Sequence, residues 1–293
     1  MSREKFSPTK ERVARACVCC GGQDLERSPA VLMPFIAHRV FDWQPVTIDE
    51  SWGLSTIRSG HAYSLCNSLY CRDCGFLFLD MRFSDDELQR LYTDYRGKAY
   101  TELREHYEPG YAARNDVLNT VIDYIPDIEN FLEKYLTFPI NILDWGGDTG
   151  KNTPFRNRCA AFDIYDISGN HPVAGAGIVS RQDLNLKQYD LIVCSNVLEH
   201  VPYPSDLLND IVQTMCEQSV LYVEVPFEAI MRQEEVALPQ GKRHWHEHIN
   251  FYSEKALRCL FDKVGLDILE LRPFRAITGG APFHMFQIAC KLK

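Results

Sequence analysis

Apolar residues in the second half of the chain come in short runs separated by longer amphipathic stretches. Residues 140–144, 160–166, 191–195, 220–225, 267–271 and 285–291 are too short for helices and mostly rich in branched or aromatic residues, so they predict strands. Apolar residues at helical spacing across 204–218 and 254–265 predict helices among them. Strands alternating with helices in this way predict an α/β fold on a mostly parallel, doubly wound sheet.

The pattern differs ahead of this half. Residues 83–136 read as helices. Phe83-Ser84-Asp85-Asp86-Glu87-Leu88 sets a serine cap before three carboxylates, and Leu88, Leu91 and Tyr92 follow at helical spacing. Two further helices are expected, one through 117–124 and one through 128–136. Residues 1–82 are loop-rich, with short β-like pieces such as Tyr70-Cys71-Arg72-Asp73-Cys74-Gly75-Phe76. Three regions result: 1–82, 83–136 as a helical connection and lid, and 137–293.

Composition adds exclusions. With 45% hydrophobic and 24% charged residues, the 293-residue chain is in the ordinary globular class. Its net charge is −9 and no basic run stands out, so nucleic acid is not an expected partner. No apolar run approaches a membrane span. The opening Met-Ser-Arg-Glu-Lys-Phe lacks the apolar core of a signal peptide, which leads us to expect a cytoplasmic protein. The pattern carries no expectation about oligomeric state.

The strand at 140–144 runs into Asp144-Trp145-Gly146-Gly147-Asp148-Thr149-Gly150. A glycine turn after a buried strand lets a ligand approach the backbone. A dinucleotide fingerprint would need glycine at position 145, which is Trp, so its tight first turn is missing. Asp144 at the strand end would repel a pyrophosphate and suits a cationic ligand. Here the chain resembles the class I S-adenosylmethionine-dependent methyltransferases, whose first motif runs acid-x-Gly-x-Gly-x-Gly. Asp144, Gly146 and Gly150 match it; Asp148 replaces the middle glycine, with Gly147 beside it. Further segments match in order. The resemblance makes Asp166 the acid that accepts from the ribose hydroxyls, with Asp163 as the competing choice, and brings Asp183 to the adenine amino group. It also likens 189–201, containing Asn196, Glu199 and His200, to the fourth strand and its turn, with Asn196 among the cofactor residues. Glu199-His200 is expected to shape that turn. The resemblance implies a Rossmann-like, seven-stranded methyltransferase sheet.

Six of the eleven cysteines precede residue 75. Cys17-Val18-Cys19-Cys20 and Cys71-Arg72-Asp73-Cys74 are two Cys-x-x-Cys pairs, each able to offer two thiolates from a tight knuckle, with Gly21 and Gly75 following. They predict a zinc-ribbon-like segment whose structural Zn²⁺ is held by Cys17, Cys20, Cys71 and Cys74. Cys19, Cys66 or His61 are alternative ligands, and redox or iron–sulfur chemistry the alternative uses. A cysteine-rich segment ahead of this fold resembles the bacterial sugar C- and O-methyltransferases, including those acting on nucleotide-linked sugars.

One polar cluster remains, His244-Trp245-His246-Glu247-His248-Ile249-Asn250-Phe251-Tyr252-Ser253. It follows the strand at 220–225 and is expected at the carboxyl edge of the sheet, where a histidine can serve as a general base near neutral pH. It resembles the His-Glu-His segment of the sugar C-methyltransferases, which makes His246, Glu247 and His248 the candidate catalytic residues. His246 and His248, two apart on an extended chain, would point to opposite sides, a poor arrangement for a shared metal. The arginine that follows the glycine pair in those enzymes is absent after Gly279-Gly280. The reaction expected is methyl transfer to carbon or oxygen of a small sugar-like acceptor. The alternatives are a ribosomal or transfer RNA methyltransferase with a zinc module, disfavoured by the acidic charge, and a non-catalytic binding protein.

Overall fold

The computed structural model describes residues 11–53, 59–233, 238–278 and 281–293. Its first third carries β1 (Leu25–Leu32), α1 (Pro34–Phe41), β2 (Val46–Ile48), β3 (Gly60–Ala62), β4 (Leu65–Cys71) and β5 (Leu77–Leu79). Four helices follow: α2 (Asp85–Tyr92), α3 (Lys98–Tyr107), α4 (Tyr111–Leu118) and α5 (Ile125–Leu132). The start of α2 is the expected capping box. Glu87 N–H donates to Ser84 Oγ at 3.3 Å, and Ser84 N–H donates to Glu87 Oε2 at 2.7 Å. Such a cap is worth about 1 kcal/mol. The two helices expected at 117–124 and 128–136 are displaced: the chain breaks after Leu118 and restarts at Ile125, with Pro126 in the first turn. Proline is favoured there because a first-turn N–H has no intrahelical acceptor to lose.

The second half carries β6 (Ile140–Trp145), β7 (Cys159–Tyr165), β8 (Gly177–Ile178), β9 (Leu191–Ser195), α6 (Pro204–Val212) and β10 (Val220–Pro226). It continues with α7 (Leu238–Gly241), β11 (His244–Trp245), β12 (Asn250–Phe251), α8 (Glu254–Lys263), β13 (Leu266–Thr278) and β14 (Ala281–Leu292). Seven strands form one mixed sheet in the order β13-β14-β10-β9-β6-β7-β8. Neighbours from β10 to β8 run parallel, and β14 is antiparallel to both β10 and β13. The expected α/β sheet is therefore present. β8 is a two-residue pairing of Gly177 and Ile178 with Asp163 and Ile164, too short to leave a sequence pattern. The last two strands are longer than expected because they pair as one hairpin from Leu266↔Leu292 to Thr278↔Ala281. Helix α6 stops at Val212, short of the expected 218. Among the described residues no helix is long and apolar enough to cross a membrane.

A second sheet, β11-β1-β4-β5-β12, combines strands from the two halves. β11 lies parallel to β1 with Leu32 opposite Trp245, and β12 lies antiparallel to β5 with Asn250 opposite Phe78. Residues 244–251 are thereby stitched into the N-terminal sheet. Trp245 is fully buried there and donates its indole N–H to Ser68 Oγ at 2.8 Å. One apolar core runs from the cysteine-rich turns (Cys17, Cys71, Cys74) through Phe76 and Tyr252 to Leu143 and Ile192 of the large sheet. This continuity fixes the small sheet's position relative to the crevice described next.

Candidate functional site

Chain order reverses between β6 and β9: from β6 the chain builds outward through β7 and β8, then returns to β9 and β10. A ligand crevice opens outside the carboxyl ends at such a point. Two glycines of the turn after β6 are required by its geometry. Gly146 has φ +76°, and a Cβ there would lie 2.6 Å from Val197 Cγ2; Gly150 has φ +75°, and its Cβ would lie 2.5 Å from Ile164 Cδ1. Asp148, standing at the motif's middle glycine, adopts φ +54°. Aspartate is one of the few residues that tolerate this left-handed region. The loop is held from outside: Asp148 N–H donates to Asp166 Oδ2 at 2.8 Å, and Asn170 Nδ2 donates to Asp148 Oδ1 at 2.6 Å.

Asp166 lies just beyond β7, half-buried, and also accepts from Ser168 N–H at 2.7 Å. Asp163, the competing acid, is buried within β7 and committed to Lys187 Nζ at 2.6 Å and Tyr189 OH at 3.0 Å. Asp144 is buried directly under the turn and accepts from Thr153 Oγ1. A Cβ on Gly147 would overlap its carboxyl. Burial, with Asp166 and Asp148 adding repulsion against the Thr153 bond, pushes Asp144 up to about 7. Asp183 is exposed, beyond β8, bonded to Ser180 Oγ at 2.6 Å. Asn196 turns its amide inward, to Ser195 Oγ and Glu224 Oε1, both at 3.2 Å. Glu224 also collects Tyr124 OH at 2.9 Å and Tyr222 OH at 2.7 Å, a buried network that the sequence did not announce.

The structure separates the three residues of the His-Glu-His segment. Glu247 points into the helices, accepting from Arg104 at 3.1 Å and Tyr100 OH at 3.1 Å. Burial opposes its ionisation, yet Arg104 holds it well below the usual carboxylate range. His246 Nε2 meets Glu108 Oε1 of the α3 end at 2.5 Å. His248 turns the other way. Its Nδ1 bonds Glu228 Oε1 at 2.8 Å, and its ring stands edge-on to His200 with centroids 4.7 Å apart. His200 Nδ1 contacts the Glu247 carbonyl at 2.9 Å and Tyr92 OH at 2.8 Å. Glu199 is 1% exposed beside these rings; among the described residues neither carboxyl oxygen has a hydrogen-bond partner, although its own backbone N–H eases ionisation. His200 Nε2 is 3.7 Å from Glu199 Oε1. Burial pushes Glu199 up to about 8; burial, together with His248, pushes His200 down to about 3. Burial alone would depress His248, but its bond to Glu228 raises it. Glu199 and His200 follow Val197, the side chain against which Gly146 packs, so this group borders the glycine turn. Glu199-His200, expected from sequence to shape the turn, and Glu228, which no motif marks, both belong to this group. The available signal was their place just after the carboxyl ends of parallel strands.

The four expected cysteines converge, their sulfurs all within 4.8 Å of one another. Cys17 Sγ is 3.7 Å from Cys74 Sγ, and Cys20 Sγ is 3.6 Å from Cys71 Sγ. Each pair sits on a knuckle closed by a glycine: Gly21 N–H donates to Cys17 O and Gly75 N–H to Cys71 O, both at 2.8 Å. Cys17 is raised by the neighbouring Cys74 sulfur and by burial, and burial pushes Cys71 up to about 11. Of the alternative ligands, Cys19 stays beside Cys74 but outside the group of four, and the other two lie elsewhere. Cys19 donates to the Ala256 carbonyl at 3.0 Å, Cys66 is packed in the core around Phe35 and Trp245, and His61 is exposed on β3.

Residues 117–271 match a family model described as a methyltransferase domain. No curated protein matches the sequence. The fold is similar to that of the Burkholderia thailandensis 1,6-didemethyltoxoflavin-N1-methyltransferase, solved with 1,6-didemethyltoxoflavin and S-adenosylhomocysteine. The two are 14% identical with a TM-score of 0.51, over 76% of this chain and 98% of that one. A SAM-dependent methyltransferase from Methanosarcina mazei is 16% identical, TM-score 0.39, over 55% of this chain and 96% of that one. The glycopeptide N-methyltransferase MtfA, complexed with sinefungin, is 12% identical, TM-score 0.43, over 60% and 97% of the two chains.

Proposed function

We propose, from the premise that this chain belongs to the methyltransferase domain family and is an S-adenosylmethionine-dependent methyltransferase, that its acceptor is a small hydroxylated molecule, a sugar or nucleotide-linked sugar first among them. The observation that carries this reading is the polar group Glu199, His200 and His248 bordering the glycine turn. A titratable group beside the cofactor loop suits an acceptor that must be oriented and must lose a proton. Of the three candidate catalytic residues, His248 is the one that faces this group; His246 and Glu247 serve to hold the segment on α3.

The residues at the turn fit the cofactor. Asp144, Asp148 and Asp166 gather three carboxyls at one loop, and a cation relieves a buried acid. Asp166 keeps lone pairs for ribose hydroxyls, while Gly146, Gly147 and Gly150 let the ligand approach the backbone. Asp183 and Asn196 complete the proposed cofactor set, Asp183 from the exposed side and Asn196 by shaping the turn after β9. When bound, S-adenosylmethionine supplies an already activated methyl group, so the protein's share is positioning and deprotonation. Zn²⁺ on Cys17, Cys20, Cys71 and Cys74 is the structural metal. Tetrahedral zinc with Zn–S near 2.3 Å would set its sulfurs about 3.8 Å apart, close to the two spacings found.

Calorimetry with S-adenosylmethionine and S-adenosylhomocysteine, followed by methyl incorporation into nucleotide-linked sugars, tests this reading. Binding of neither ligand overturns it. Binding without transfer to any hydroxylated acceptor removes the sugar assignment.

A further inference from the structure

We propose that Glu199, His200 and His248 form a second metal site, which binds a divalent cation and leaves coordination positions open to hydroxyl oxygens of the acceptor. Among the described residues two groups of side chains bring ligand atoms within 4.8 Å of one another. One is the four cysteines and the other is this trio.

Three observations make it a built site. Among the described residues both oxygens of Glu199 are buried without a hydrogen-bond partner, with the His200 and His248 rings beside them. A buried carboxyl with no hydrogen-bond donor is unfavourable, and a cation beside the three side chains would supply the missing partner. Each histidine also has its other nitrogen committed. A carbonyl oxygen only accepts, so the 2.9 Å contact with Glu247 O puts the His200 proton on Nδ1, and the Tyr92 hydroxyl oxygen shares it. The Glu228 carboxylate does the same for His248 Nδ1. In the neutral rings each Nε2 thus keeps a lone pair. A carboxylate or carbonyl behind each ligating imidazole is the usual outer support of protein metal sites. Finally, the ligands sit on different elements, Glu199 and His200 after β9 and His248 between β11 and β12, so the small sheet completes the site.

Two imidazoles and one carboxylate give three protein ligands, the number that leaves a cation open to water or substrate oxygens. The ring that joins His248 in this group is His200, 48 residues earlier in the chain, which no local spacing reveals. This inference rests on the acceptor reading proposed above.

The test is a titration of the zinc-loaded protein with Mn²⁺, followed by the electron paramagnetic resonance signal of free Mn²⁺, and with Zn²⁺ counted by mass spectrometry. One equivalent beyond the cysteine-bound zinc is expected. Affinity should fall at least tenfold in Glu199→Gln and His248→Ala, and about tenfold in Glu228→Gln through loss of the support on His248. His246→Ala should bind as wild type. S-Adenosylmethionine binding and zinc content, measured on the same samples, report whether each variant folds. No Mn²⁺ or Zn²⁺ beyond the first equivalent, or wild-type affinity in a folded Glu199→Gln, overturns the site. If S-adenosylmethionine still binds in that case, the methyl-transfer reading stands; if it does not bind, that reading fails whatever the metal does.

Discussion

Replacing Asp144 by asparagine should make the free protein more stable while weakening its hold on the cofactor. Asp144 is buried under the glycine turn, and its carboxyl is raised from the 3.8 of a free aspartate to about 7. A folded-state value above the unfolded one means that the folded protein binds more protons between the two. Stability from this group is therefore fully present below about pH 4 and is lost as pH rises to about 7. Fully ionised, the carboxylate costs at most about 4 kcal/mol relative to one in water. Asparagine keeps an acceptor for Thr153 Oγ1 and has no charge, so it escapes that loss. Between pH 5 and pH 8.5 the advantage of the variant should grow by about 2–3 kcal/mol. At roughly 2–4 °C per kcal/mol, the gap in Tm should be roughly 5–10 °C wider at the higher pH. Thermal melts at both pH values, with and without S-adenosylmethionine, measure it. The ligand-induced rise in Tm should shrink in the variant. A Tm gap equal at the two pH values, or an undiminished ligand shift, refutes the argument that a buried charge is held there for a cationic ligand.

Asp166→Ala removes the acceptor for the Asp148 and Ser168 N–H groups, so cofactor affinity should drop at least tenfold while zinc content stays unchanged; equal affinity by calorimetry would mean the ribose acid is misassigned. Elemental analysis should find one zinc on the four cysteines, and Cys74→Ser should lose it along with several degrees of Tm; iron with labile sulfide instead would reject zinc. His248→Ala should slow methyl transfer by about 10²-fold or more, whereas His246→Ala, tied to Glu108, should stay within a few-fold; comparable losses in single-turnover assays would undo the split between them. Gly150→Ala forces a left-handed residue and a Cβ 2.5 Å from Ile164 and 2.7 Å from Phe162, so denaturant melts should show a loss of about 1–3 kcal/mol, and an unchanged midpoint would contradict the packing.

Local chemistry alone determined a good part of this protein. The apolar runs at 140–144, 191–195 and 220–225 are strands because buried parallel strands need nothing but a short apolar stretch, and the Ser84–Glu87 box closes within four residues. The two Cys-x-x-Cys knuckles and the Asp144–Gly150 turn are likewise written in neighbouring residues. Asp148 shows the limit of motif reading: a missing glycine is tolerated because aspartate accepts φ +54° and Asn170 and Asp166 hold it there, partners 22 and 18 residues away. Tertiary structure decided the rest. Two-residue strands such as β8, β11 and β12 have no periodicity of their own, and they exist because a neighbouring edge pairs with them. That pairing sends Glu247 and His246 to α3 and turns His248 toward His200, Glu199 and Glu228. Sequence spacing records which residues are neighbours along the chain. Which buried carboxyl is left without a donor depends on contacts made across tens of residues, and only the folded chain brings those together.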